Sequence, residues 1–253
     1  MSSSAMCRVP WSNQTGANMK IMNGREAAPN SRPYMALIKL DGKDEEMLCG
    51  GSLIKDRWVL TAGHCDRDGW KKKIILGAHS REKSNQWWQE FHVEKSIAHP
   101  NFNKTNLNND LRLIKLKEKA RLTKAVQLLP LPTTYKDPEE RSTCETAGWG
   151  ETEKAEAADN LMEVNVTILD REKCAKHWSE NKANITENVI CIIVGPGSED
   201  TCGGDSGGPL MCNGVFTGIT SFGEGVCGKI KDASVFTRLT EEYIEWINET
   251  IED

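Results

Sequence analysis

Short stretches rich in apolar residues recur along this chain between turn-forming residues, which is the pattern of a chain built from short strands. The clearest stretches lie at residues 34–40, 73–78, 90–97, 161–169 and 215–221, with turn-forming residues between them. Many short strands separated by turns predict an all-β domain of the sandwich or barrel type.

Helical patterns are short and few. Asp170 is placed to cap a helix that runs through Lys176, and Thr240 is placed to cap a second helix near the C-terminus. Glu241 and Glu242 follow Thr240 directly, where their charge favours the positive end of a helix. The sequence therefore predicts two short helices in an otherwise β-rich chain.

The composition is that of a soluble globular protein, with 253 residues of which 38% are hydrophobic and 27% charged. This length allows one large all-β domain or two small ones. No stretch approaches the roughly 18 consecutive apolar residues of a membrane helix. A formal net charge of −5 argues against a basic surface for nucleic acids. We therefore expect neither nucleic-acid binding nor membrane insertion.

One motif carries chemistry, the G-x-S-x-G sequence at residues 204–208 with Ser206 at its centre. All five histidines precede Ser206, whereas an α/β-hydrolase needs its catalytic histidine after the serine. Chain order therefore excludes that class of hydrolase. The order His, Asp, Ser remains open, as in a second and unrelated type of serine hydrolase.

Two upstream segments offer partners for the serine. His64 follows an apolar run that ends in Thr-Ala-Gly, and Asp110 opens a run that alternates at the strand period. Taken singly, Asp110 fits a turn, His64 fits a core position and Ser206 fits a glycine-rich turn. Taken together and in this order, the three residues predict a catalytic triad.

These three segments resemble the signature set of chymotrypsin-like serine proteases, from Ile21 to the C-terminus. Segments at 21–24, 31–36, 164–171 and 212–216 resemble the granule proteases of leukocytes, in particular granzymes A and K. The resemblance implies two six-stranded antiparallel β-barrels, about 21–130 and 131–253, with a cleft between them and a short C-terminal helix. We expect the apolar face of that helix to dock on the second barrel.

The resemblance also implies a role for each residue of the cleft. His64 would be the general base, Asp110 its orienting carboxylate and Ser206 the nucleophile. The backbone N–H groups of Gly204 and Ser206 would form the oxyanion hole.

A primary specificity pocket follows from the same resemblance. Asp200 would lie at its base and select Lys or Arg, with Ser221 and Gly223 beside it. Ser234 occupies a position where trypsin-like members carry glycine, so we expect its hydroxymethyl group to narrow the pocket and bias Lys against Arg. The alternative for Asp200 is a solvated surface acid.

Activation would follow cleavage after Lys20, because the new α-ammonium of Ile21 would pair with Asp205 and complete the oxyanion site. Residues 1–20 contain no apolar core of the size that a signal peptide needs. We therefore expect them to be a pro-segment or an atypical leader.

Nine cysteines favour an oxidising compartment. Those after residue 20 permit many pairings, and buried thiols are the alternative; metal ligation is disfavoured because the usual ligand spacings are missing. The resemblance selects four disulfides and leaves Cys7 over: Cys49–Cys65, Cys144–Cys212, Cys174–Cys191 and Cys202–Cys227.

Glycosylation sequons point to the secretory pathway, although a cytosolic protein with chance sequons is the alternative. They begin at Asn13, Asn103, Asn165, Asn184 and Asn248.

The leading hypothesis is a granzyme A-like endopeptidase that cuts after Lys or Arg, stored in a secretory granule or secreted. We expect protein or peptide substrates, macromolecular protease inhibitors as partners, a monomer, and neither a metal nor another cofactor. The alternatives are a digestive or plasma trypsin-like protease, and a protease-like binding protein that has lost catalysis.

Overall fold

The computed structural model describes residues 24–151, 157–179, 183–193, 204–223 and 233–252. Its first half is a closed antiparallel barrel whose strands follow the order β2-β3-β4-β7-β6-β5. The strands of this half are β1 (Arg25–Glu26), β2 (Met35–Asp41), β3 (Glu46–Lys55), β4 (Trp58–Thr61), β5 (Lys71–Leu76), β6 (Gln89–Ala98) and β7 (Arg112–Leu116). The short strand β1 stands apart from this barrel, because it pairs with a strand of the second half.

The second half closes in the same way. Its elements are β8 (Thr143–Gly148), β9 (Met162–Leu169), α1 (Arg171–Trp178), β10 (Val189–Ile193), β11 (Pro209–Cys212), β12 (Val215–Phe222), β13 (Ala233–Arg238) and α2 (Glu241–Glu252). The order β8-β9-β10-β13-β12-β11 returns to β8, and β1 adds to the outside of β9. Both barrels connect their strands in one pattern, a repeat of topology that the sequence does not show.

The predicted fold class is confirmed, with two six-stranded antiparallel barrels and a C-terminal helix. All five predicted strands are present, and none of their ends differs from the prediction by more than two residues. Strands β9 and β12 alternate in burial over part of their length, whereas β2 and β5 contain runs of consecutive buried residues. The five strands were predictable because each is a short apolar-rich stretch between turn-forming residues.

Both predicted helix caps are present. The Asp170 carboxylate accepts the Lys173 N–H at 3.1 Å at the start of α1. The Thr240 hydroxyl accepts the Tyr243 N–H at 3.4 Å at the start of α2. Across the described part of the chain, no helix is both long and apolar enough to cross a membrane.

Helix α2 packs on the first barrel as well as against residues of the second, so the expectation that named the second barrel alone is incomplete. The Tyr243 hydroxyl donates to Asn109 Oδ1 at 2.6 Å, and the His99 ring meets the Tyr243 ring edge-on with centroids 5.1 Å apart. Lys55 Nζ also reaches the carbonyl of Ile251. Apolar periodicity shows which face of a helix is buried, but it does not show which surface covers that face.

Three disulfide bonds cross-link the described residues: Cys49–Cys65, Cys144–Cys212 and Cys174–Cys191. Each is a pair that the resemblance selects. The first joins β3 to the segment after β4, the second joins adjacent strands β8 and β11, and the third joins α1 to β10. Each bond contributes roughly 2–4 kcal/mol by limiting the unfolded chain. The fourth pair, Cys202–Cys227, lies outside the described residues.

Candidate active site

The two barrels touch where glycines remove side chains from between them. The Gly50 N–H on β3 donates to the Ser206 carbonyl at 2.8 Å. A Cβ on Gly207 would lie 2.1 Å from Thr61 Oγ1, and one on Gly50 would lie 3.1 Å from the backbone of Gly208. Only residues without a side chain allow this approach. The G-x-S-x-G segment of the second barrel therefore rests directly on the first.

His64 and Asp110 meet because of the strand register beneath them. Strands β4 and β7 are antiparallel partners with Thr61 opposite Arg112, so the residues just beyond β4 lie beside those just before β7. His64 Nδ1 is 2.7 Å from Asp110 Oδ2, and the His64 backbone N–H donates to Asp110 Oδ1 at 2.9 Å. Because an ionised carboxylate only accepts hydrogen bonds, the proton of this contact lies on Nδ1.

The Asp110 carboxylate is fully buried and is also bound by the second barrel. The Ser221 hydroxyl on β12 donates to Asp110 Oδ2 at 2.5 Å. The Thr237 hydroxyl on β13 reaches the Asp110 carbonyl at 3.3 Å. The sequence interpretation placed Ser221 in the substrate pocket and missed this contact with the carboxylate. No signal in the sequence identified it, because the partners are far apart along the chain.

Charge and hydrogen bonding set the protonation of this pair. Burial raises the pKa of Asp110, but the His64 charge and the hydrogen bonds from His64 and Ser221 outweigh it and hold the pKa below its ordinary value. Burial lowers the pKa of His64, but the charge and hydrogen bond of Asp110 outweigh it and raise the pKa above its ordinary value. The pair therefore favours an ionised carboxylate beside an imidazole that binds a proton readily.

The backbone of Ser206 contacts the segment that carries His64. The Ser206 carbonyl lies 3.5 Å from the sulfur of Cys65, the residue after His64. Gly204 and Gly207 flank the serine with φ angles of +96° and +82°, a conformation that glycine adopts without strain. The serine thus sits on a sharp turn at the contact between the barrels.

The backbone donors of this turn divide into two groups. The Gly207 N–H donates to the Thr220 carbonyl at 2.8 Å, and the Gly208 N–H donates to the Asp205 carbonyl at 2.9 Å. Within the described ranges, no hydrogen bond uses the N–H of Gly204 or Ser206. These two groups are the donors that the sequence interpretation nominates for the oxyanion hole.

Asp205 is buried in a space that two further glycines provide. Its Oδ1 accepts the Gly150 N–H at 2.8 Å, and its side chain is 1% exposed. A Cβ on Gly148 would lie 2.1 Å from Oδ1, and one on Gly150 would lie 2.4 Å from Cγ. The activation residues Lys20 and Ile21 lie outside the described residues.

The predicted specificity pocket is described in part. Asp200 lies outside the described residues, while Ser221, Gly223 and Ser234 lie on or next to the paired strands β12 and β13. A Cβ on Gly223 would be 2.9 Å from Ser234 Oγ, and Ser234 is buried. The structure therefore brings the Ser234 hydroxyl against the glycine at which the pocket wall was expected to be open.

The sequon asparagines are the last of the predicted sites. Among the described residues the sequon asparagines are all exposed: Asn103, Asn165, Asn184 and Asn248. Asn13 lies outside them. Ligand atoms of Cys49, His64 and Cys65 lie within 4.8 Å of one another, but the two sulfurs form a disulfide and offer no thiolate.

Comparisons with known proteins agree with this architecture. The family model described as Trypsin matches residues 21–247. Granzyme A of Bos taurus is 43% identical over 235 residues, which cover 91% of this chain and 88% of that protein. Glandular kallikrein of Sus scrofa is 38% identical over 247 residues, which cover 92% of this chain and 96% of that protein.

A solved structure with the same fold is neuropsin, described as a serine protease expressed in the limbic system of mouse brain. The two structures superpose with a TM-score of 0.79 at 35% sequence identity, covering 90% of this chain and 99% of neuropsin. The family model, the sequence relatives and the solved structure agree, and the chain belongs to the trypsin family of serine proteases.

Proposed function

We propose that this chain is a serine endopeptidase that hydrolyses peptide bonds after Lys or Arg through a His64–Asp110–Ser206 triad. One observation carries the proposal: a fully buried Asp110 is bound to His64 Nδ1 at 2.7 Å, and the Ser206 backbone rests on the residues beside His64. Burying an ionised carboxylate is costly, and this one is held beside a histidine in an arrangement that favours a catalytic role.

The chemistry follows from the hydrogen bonds. Because Nδ1 of His64 is committed to Asp110, Nε2 is the nitrogen that accepts the Ser206 proton during attack on the substrate carbonyl. His64 then returns that proton to the leaving amine, and an acyl-enzyme remains on Ser206. Water, deprotonated by the same imidazole, releases the acid and regenerates the serine.

The oxyanion hole is proposed at the turn around the serine. Attack converts the substrate carbonyl to an oxyanion, which needs donors that are already oriented. The N–H groups of Gly204 and Ser206 are the proposed donors. Their neighbours Gly207 and Gly208 use their own N–H groups to hold the turn, which supports a fixed orientation for the whole segment.

Activation is proposed to follow cleavage after Lys20. A buried carboxylate is stabilised by an opposite charge, and the α-ammonium of Ile21 would supply one to Asp205. The glycines at 148 and 150 support this proposal, because a side chain at either position would collide with the Asp205 carboxylate and displace it from its buried position. Binding of the new terminus beside Ser206 would then order the oxyanion hole.

Specificity for Lys or Arg is proposed to rest on Asp200 at the base of the pocket. The pocket would be lined by Ser221 and Gly223 and narrowed by Ser234. Similarity to granzyme A along most of the chain supports storage in a granule or secretion, with protein substrates, macromolecular inhibitors and a monomeric enzyme. The protease domain would span 21–253, with its barrels dividing near residue 130.

The test is activity after limited trypsin treatment, with the new N-terminus determined by sequencing. Peptides that differ only in the residue before the cut should show hydrolysis after Lys or Arg and none after Phe or Leu. Ser206→Ala should abolish both turnover and labelling by a fluorophosphonate. A cleaved wild-type protein that neither turns over substrate nor takes the label would contradict the proposal and favour a protease-like binding protein.

A further inference from the structure

A second ionic contact ties together the two segments that carry His64 and Asp110. Arg112 follows Asp110 by two residues, and Asp66 follows His64 by two residues. Arg112 Nη1 lies 2.7 Å from Asp66 Oδ2, and the two side chains are 9% and 13% exposed. The ion pair is therefore largely shielded from water, and it joins the segments that carry His64 and Asp110.

The same arginine binds the backbone next to the imidazole. Arg112 Nε donates to the Gly63 carbonyl at 3.1 Å, and Gly63 immediately precedes His64. A Cβ on Gly63 would lie 3.0 Å from Asp110 Oδ1, so this glycine is also packed against the catalytic carboxylate. Movement of the guanidinium would therefore be transmitted to the peptide that carries His64.

Two neighbouring strands hold the ion pair in place. The Ser96 hydroxyl on β6 donates to Asp66 Oδ2 at 2.9 Å and accepts from Arg112 Nη1 at 2.9 Å. Lys72 Nζ on β5 lies 2.5 Å from Asp66 Oδ1. We name these four residues, Asp66, Lys72, Ser96 and Arg112, the Arg112 cluster. It anchors the segment after β4 to three adjacent strands of the first barrel.

The cluster places a positive charge near the imidazole. Among the described residues, the charged groups that act on His64 are Asp110, which raises its pKa, and Arg112, which lowers it. The carboxylates that act on Arg112 are Asp66, Asp110 and Asp68. Arg112 thus opposes part of the effect of Asp110, because a nearby cation disfavours the protonated imidazole.

We propose that Arg112 is a positioning residue for His64. Its guanidinium fixes the Gly63–His64 peptide, and its charge keeps the imidazole neutral at a lower pH than Asp110 alone would allow. The inference rests on the proposed function, since a neutral His64 is what general-base catalysis requires. It predicts that this arginine extends activity toward acid pH.

The test compares kcat/KM against pH for trypsin-activated wild type, Arg112→Gln and Arg112→Lys. Gln retains a donor for the Gly63 carbonyl but carries no charge. The acid limb, which is the fall of kcat/KM on the acid side of the profile, should therefore have its midpoint raised by about half a pH unit in this variant, as expected for one partly screened charge. Lys retains the cation, so its acid limb should stay where the wild type has it. The matched control is Arg57→Gln.

Arg57 is suitable because it also donates to backbone carbonyls of the first barrel, those of Leu116 and Lys117, and pairs with Glu94. It does not act on His64. Its replacement should leave the acid limb unchanged. An unmoved limb in Arg112→Gln, or an equal movement in Arg112→Lys or Arg57→Gln, overturns the proposal.

A second measurement separates this inference from the proposed function. The imidazole of His64 can be titrated by NMR in the Ser206→Ala background, with and without Arg112→Gln, so no turnover is needed. The midpoint should rise when the arginine is replaced, and an unchanged midpoint refutes the inference whether or not the enzyme is active. If Arg112→Gln does not fold, the titration compares Asp66→Asn with Asp66→Asn/Arg112→Gln, so that the two proteins differ only in the arginine. The midpoint should again rise when the arginine is replaced, and no rise refutes the inference.

Discussion

Removal of the Ser221 hydroxyl tests the contact that joins the second barrel to Asp110. Ser221 Oγ lies 2.5 Å from Asp110 Oδ2, and both residues are buried. A buried hydrogen bond to a charged acceptor contributes about 1.5–3 kcal/mol, and its loss leaves the carboxylate with only the two donors from His64. We therefore expect Ser221→Ala to lower the free energy of unfolding by about 1.5–3 kcal/mol at pH 7.

The pH dependence of that loss follows from the direction of the Asp110 pKa. The folded-state pKa of Asp110 is held below its ordinary value, in part by Ser221. This stabilisation is present above the unfolded pKa of about 3.9 and is lost as the pH falls through the lower folded pKa. The difference between wild type and Ser221→Ala should thus be full at neutral pH and should shrink at strongly acid pH.

The assay is guanidinium unfolding followed by tryptophan fluorescence, with Ser52→Ala as the matched control. Ser52 is also fully buried, but its hydroxyl has no hydrogen-bond partner among the described residues, so its removal should cost little. Equal destabilisation of the two variants, or a Ser221→Ala difference that does not change between neutral and acid pH, would refute the reasoning.

The remaining predictions concern the barrel contact, the pocket and the base. Gly207→Ala and Gly214→Ala both place a side chain at positive φ, but only the former meets atoms of the first barrel, so its melting temperature and activity should fall much further. Ser234→Gly should raise kcat/KM for Arg over Lys peptides by about tenfold, the scale of one small group in a pocket; an unchanged ratio would place the hydroxyl outside the pocket. Because Asp110 raises the pKa of His64, kcat/KM should fall with decreasing pH around a midpoint above about 6.5, and a midpoint below that value would contradict the geometry.

The elements that could be predicted from the sequence are those that depend on local rules. Strand β9 alternates buried and less buried residues from Val164 onward, and Asp170 caps α1 through a neighbour three residues away. The docking surface of α2 could not be predicted in this way. Its apolar face is covered in part by His99 and Asn109, more than a hundred residues earlier in the chain, and no local pattern encodes that meeting.

The candidate site likewise contains residues that could be predicted from the sequence and contacts that could not. Residue type and chain order were sufficient to nominate His64, Asp110 and Ser206. The contacts from Ser221 to Asp110 and from Arg112 to Gly63 were not predictable, because they depend on strand register and on how the barrels dock. A serine or an arginine on a strand looks the same in the sequence whether it faces solvent or a buried charge.

Some of the contacts between the barrels fall on the residues that would react, while others, such as Arg32–Glu145 and Trp149–His79, lie elsewhere. The first barrel supplies the imidazole and carboxylate, while the second supplies the proposed nucleophile and a hydroxyl for the carboxylate. The Gly50–Ser206 and Ser221–Asp110 hydrogen bonds therefore hold the barrels together and build the site at the same time. A change that loosens the docking of the barrels should misplace Ser206 before either barrel unfolds, so activity should be lost under milder conditions than secondary structure.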